Sequence, residues 1–132
     1  MIKSDIDIKD DVYNHIKGSA LEKVITGKLC KTKRPAGSNN EDIVISILDN
    51  GSGQMQEAFV NVNIYVTDNI RDNQSEEATI RLRKLCEMSC ELLEVGRGKG
   101  YRFTLNKQRV LEVNGKGEHF INNRLLYQCN NE

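Results

Sequence analysis

Apolar residues alternate most regularly between residues 42 and 68, which read DIVISILDNGSGQMQEAFVNVNIYVTD. Ile43, Ile45 and Ile47 fall on one side of an extended segment, and Ala58, Val60, Val62, Ile64 and Val66 on one side of a second. Asn50, Gly51, Ser52 and Gly53 supply turn residues between them, so the spacing predicts an antiparallel hairpin around which the chain is organised. The reverse side of the second segment, Phe59, Asn61, Asn63, Tyr65 and Thr67, is mixed rather than polar. That mixture suits a sheet with one face under a helix and the other meeting a neighbouring strand, a subunit or solvent.

Around this hairpin the pattern changes period. Ile8, Val12, Tyr13 and Ile16 have near-helical spacing over residues 6–17, and Gly18 follows as a stop. His15 lies off that stripe and reads as an exposed helical histidine. Leu21, Val24, Ile25 and Leu29 predict an extended stretch over 21–30, bulged near Gly27, and residues 31–40, KTKRPAGSNN, are loop-like. Residues 67–74 read as a polar linker. A second helix is then expected from near Ser75, with Asn73 and Glu76 in capping-box positions and Ala78, Leu82, Leu85, Cys86, Ser89, Leu92 and Leu93 on one stripe. Such a helix, about twenty residues long, can cover one face of a small sheet, with Glu77 and Arg81 pairing on its outer side. VGRGKG at 95–100 reads as a glycine-rich connection with Gly96 as a C-cap. Residues 101–113 and 118–128 read as strands joined by NGKG at 114–117. The expected fold is α+β: an antiparallel β-sheet packed against a long amphipathic helix, with a short N-terminal helix, in a single domain over 1–132.

Composition narrows the function classes. Nineteen Lys and Arg against nineteen Asp and Glu give a formal net charge of zero, without the basic excess of a dedicated nucleic-acid binder. No apolar run is long enough to span a membrane, and the charged start is unlike a secretory signal, so the expectation is a cytoplasmic chain at synthesis. Cys86 and Cys90, one helical turn apart, could offer two thiolates to a metal with His119 or Cys129. Their leucine neighbours favour ordinary reduced core cysteines, and no metal or cofactor is expected. The chain has no HExxH, GxSxG or Walker motif. Glu41 with Asp42, and Asp68 with Asp72, are carboxylate pairs at strand ends or in a linker, so a non-enzymatic protein is predicted. VGRGKG follows a helix and enters a strand, the reverse of a dinucleotide-binding loop. Lys31, Lys33 and Arg34 beside Pro35 read as a solvated loop or as a protein contact, and suit a protein contact better than a nucleic-acid contact.

In this order, RPAGSNNEDIVIS, the VNVNIYV strand and GEHFINNRLLYQ resemble parts of the tail-terminator and tail-completion (head–tail joining) proteins of long-tailed bacteriophages and prophages. The resemblance is one of layout over nearly the whole chain. It implies a structural subunit, a homo-oligomeric ring, hexameric by resemblance, that ends the tail tube and helps join it to the head. Its partners would be tail-tube and connector proteins, with no cofactor, no membrane and no specific nucleic acid. It would assemble in the bacterial cytoplasm and reside in the virion tail. The ring contacts implied are Lys31, Lys33, Arg34 and Pro35 in the 31–40 arm, and Asn50, Ser52 and Gln54 at the hairpin tip. A tail-tube or connector protein, a host-derived adaptor and, last, a small enzyme are the alternatives.

Overall fold

A computed structural model describes residues 2–51, 53–71 and 74–130. The capping-box positions Asn73 and Glu76 therefore fall outside it in part, since Asn73 is not among the described residues. Among the described residues the fold is α+β, with a six-stranded sheet, a two-stranded one and three helices. Helix α1, Asp5–Ile16, is fixed at its start by a capping box in which the Ser4 hydroxyl accepts from the Asp7 amide and Asp7 reaches back to Ser4. Such caps contribute about 1 kcal/mol. Ile8, Val12 and Ile16 are buried, and Gly18, at φ +80°, ends the helix. His15 is not the exposed residue that the spacing suggests. Its Nε2 lies 2.8 Å from the Leu92 carbonyl, and its ring meets Phe103 edge-on.

The stretch expected to be extended over 21–30 divides in two. Ala20–Val24 forms a short helix, α2, because Ser19 caps it and the Glu22 carboxylate accepts from the Gly18 amide. Only Leu29–Cys30 is strand, β1, parallel to β2. The predicted central hairpin is present as β2, Ile43–Gly51, and β3, Met55–Thr67. A register shift between Ile47 and Asp49 leaves Leu48 as the extra residue, 51% exposed.

Residues 69–76 are not simply a linker: Asn69–Arg71 (β4) and Gln74–Glu76 (β5) pair antiparallel. That pairing delays the next helix, so α3 runs Thr79–Leu93, fifteen residues, shorter than the stripe suggests. Leu82, Leu85, Ser89 and Leu93 form its buried face. The expected glycine-rich connection is an edge strand, β6, Val95–Gly98, paired with the start of β7, Tyr101–Val113. β7 returns as β8, Glu118–Asn130, through 114–117, where Gly115 and Gly117 have positive φ as the NGKG turn requires.

The sheet order is β1-β2-β3-β8-β7-β6, with β3 and β8 paired along thirteen residues at its centre. Residues opposite one another share a face, so Ala58, Val60, Val62 and Ile64 lie beside Tyr127, Leu125, Asn123 and Ile121. This face packs under all three helices into one core with Ile8, Leu21, Leu85 and Phe103. Gly96 is not a helix cap. A Cβ there would run into the ring of Phe103, its cross-strand partner and a fully buried residue. Gly96→Ala is therefore expected to cost about 1–3 kcal/mol by overpacking, read as a lower midpoint in denaturant at unchanged slope.

Candidate protein-contact surface

The residues suggested as contacts separate to opposite ends of the sheet. β3 is thirteen residues long, which spans about 40 Å. The 31–40 loop sits at the end where β2 and β8 begin, the Thr67 hydroxyl donating to the Asn39 carbonyl. The β2–β3 tip lies at the other end, beside the start of α1. There the Asn50 amide donates to Asp5, and Gln56 exchanges bonds with the Lys3 backbone. Lys3 also bridges Asp11 and the Tyr127 hydroxyl. Burial, with the Asp11 carboxylate that accepts from this hydroxyl, pushes the Tyr127 phenol well above its ordinary range, so it remains a donor.

Lys33, Pro35 and Gln54 are exposed, as a contact requires, and Ser52 lies outside the described residues. Lys31 is half-exposed but pairs with Asp10 at 2.8 Å and lies over the Tyr13 ring. Asn50 is held between Asp5 and Gln56. Arg34 departs furthest from a projecting contact. Its side chain is 12% exposed, its Nε donates to Asp42 at 3.0 Å, and its two terminal nitrogens donate to Glu118 at 3.0 and 2.9 Å. The guanidinium also stacks over the Tyr65 ring at 4.2 Å and caps the Asn40 carbonyl. Arg34 therefore fastens the loop to the sheet, and the loop's outward charge is reduced to lysines.

Three of the four carboxylates noted in the sequence, Glu41, Asp42 and Asp68, are also engaged. Burial would raise the Asp42 carboxyl, but hydrogen bonds from the Ser38 hydroxyl, the Lys28 amide and Arg34 outweigh it and hold the group below its usual range. Glu41 pairs with Arg81, which also donates to the Val24 carbonyl, so the expected outer Glu77–Arg81 pair is replaced by a tie from α3 to the end of α2 and to the segment just before β2. Asp68 lies 2.6 Å from His119 Nδ1, and Asp72 is outside the described residues. No three His, Cys, Asp or Glu side chains converge as a metal site among the described residues. None of their helices is long and apolar enough to cross a membrane.

The open face of the sheet, which the alternation left mixed, has no helix over it among the described residues. Tyr65 and Phe120 stack with centroids 5.5 Å apart, the Asn122 amide donates to Asn61 and Asn63, and Arg124 lies over Phe59. Arg124 Nε is buried there without an acceptor among the described residues. These half-buried aromatic, amide and guanidinium groups are typical of surfaces that meet another protein. Period-two alternation signalled the face, but not the pairing across β3 and β8.

No family model matches the sequence, and no curated protein matches it either. The fold is similar to that of a chain from the virion of a native gene transfer agent particle, with a TM-score of 0.54 at 11% identity. The match covers 93% of this chain and 94% of that one.

Proposed function

We propose that this chain is a structural subunit of a phage or phage-like particle, forming a ring that terminates or completes the tail tube and helps join it to the head. The observation that carries the reading is the whole-chain likeness to a virion component, with little sequence left over on either side. The contact groups add a physical reason. A subunit with the 31–40 loop at one end and the β2–β3 tip about 40 Å away can touch a tube layer with one end and a connector with the other. Lys31, Lys33 and Pro35 would serve the first contact, and Gln54 with Ser52 the second. The mixed open face lies between them, available to a neighbouring copy. The work is assembly without turnover, begun in the bacterial cytoplasm and ended in the virion.

Deleting the gene from an inducible parent phage and imaging the lysate tests this. Free heads together with tails of abnormal length or with open ends are expected. Normal infectious particles would overturn the proposal.

A further inference from the structure

β7 is paired on its outer side only over its first residues. β6 covers Tyr101 to Thr104, and the Leu105 amide reaches the Glu94 carbonyl. The strand continues to Val113, and among the described residues no strand lies against the outer edge of 106–113. An uncovered edge of this length is a template for another strand. After the register shift between Leu105 and Lys107 the remaining edge is regular, Lys107 opposite Arg124 through Val113 opposite Glu118.

Beside this edge, α3 and β7 enclose an open groove of about 700 Å³. Its wall includes the sulfur-bearing side chains Cys86, Met88 and Cys90 together with Leu105. A second hollow of about 270 Å³ shares Cys86 and extends to Val110, so the depression follows the strand. Gln108 also lines the groove. It is held by Ser89 and by Asn123, whose buried amide Nδ2 has no partner among the described residues. On the helix side the groove carries Glu87, Glu91 and Glu94 against Lys84. On the open face of β7 the charges reverse, because Lys107 and Arg109 are exposed there.

We infer that an extended segment of a partner protein adds as a strand to the free edge of β7, with apolar and basic side chains turned into the α3 groove and acidic ones turned to the open face. Alternate residues of an added strand point to opposite faces, so one segment meets both charge environments at once. Inward leucine or methionine fills the Cys86, Met88 and Leu105 wall. Inward lysine or arginine lays its stem along that wall and brings its charge to the three carboxylates. Outward glutamate or aspartate lies beside Lys107 and Arg109 as an opposite-charge cross-strand pair.

The test uses the purified full chain and does not depend on the particle role, so its failure leaves that proposal standing. The probe is a fluorescent, end-blocked peptide with leucine and lysine at odd positions and glutamate and threonine at even ones. The control exchanges lysine for glutamate throughout, which preserves length and alternation. Saturable binding of the first peptide is expected, with slower hydrogen exchange over 107–113. Glu87→Lys combined with Glu91→Lys, both on exposed positions of α3, should weaken it about tenfold or more. No binding, equal binding of the control, or binding without protection of 107–113 would overturn the inference. Protection that instead rises with protein concentration alone would assign the edge to a second copy and also overturn it.

Discussion

Arg34→Met is expected to destabilise the protein by about 3–5 kcal/mol near neutral pH, because it leaves the Asp42 and Glu118 carboxylates buried without their shared cation. Both are 1% exposed with the guanidinium in place. Lys116 Nζ, at 3.9 Å from Glu118, stands too far away to take over both charges. The pH dependence separates this from a loss of packing. In the wild type the Asp42 carboxyl is held below its usual range. Its contribution to stability is therefore present above the unfolded-state value and is lost as pH falls through the folded-state value. In Arg34→Met the same carboxyl loses the guanidinium while its burial remains, so protonation relieves the defect. The difference between the two proteins should shrink as pH is lowered from about 7 to about 4 and below, since model carboxylates titrate near 4. Parallel urea titrations across that range check it, and a pH-independent difference would point to packing alone.

Leu85→Ala is expected to cost about 2–5 kcal/mol, since Leu85 is fully buried in the core shared by α3 and the sheet. The instructive comparison is Arg81→Ala, one turn earlier on the same helix. A residue on the outer side of α3 would lose little. Arg81, however, bonds twice to Glu41 and once to the Val24 carbonyl, and Glu41 is 12% exposed. Its truncation should cost about 1.5–3 kcal/mol, the range for hydrogen bonds to charged groups. Denaturant melts of both variants give the two numbers, and a negligible loss at Arg81 would show that this tie contributes little.

The elements that could be read from the sequence are those decided by local pattern. The β2–β3 hairpin, α1 and the NGKG turn each carry a period or a turn chemistry that only one local structure satisfies. Leu21, Val24 and Ile25 fit a strand or a helix equally well, and it is the Ser19 hydroxyl, capping α2, that decides for helix. β6 was hidden by its glycines, which suggest a loop. Gly96 is small because the Phe103 ring lies over it, a condition set by the partner strand. The surroundings of the candidate contact residues were less legible for the same reason. Lys33 and Gln54 are exposed as a loop and a hairpin tip should be. Arg34 shares its loop chemistry but finds Glu118 at the far end of the chain, and no spacing within 31–40 signals that partner.

The central ladder between β3 and β8 has a consequence for the order in which the molecule can form. Thr67 pairs with Glu118 and Met55 with Asn130, so this ladder joins two hairpins that are each local, β2–β3 and β7–β8. Each hairpin can close early, but the ladder that unites them must wait for nearly the last described residue and for closure of a long loop. During synthesis the β2–β3 hairpin therefore stands with its future central edge uncovered until β8 arrives. The interval before completion is when this chain is most open to pairing with a wrong strand, and arrest of translation short of β8 would leave that edge permanently exposed.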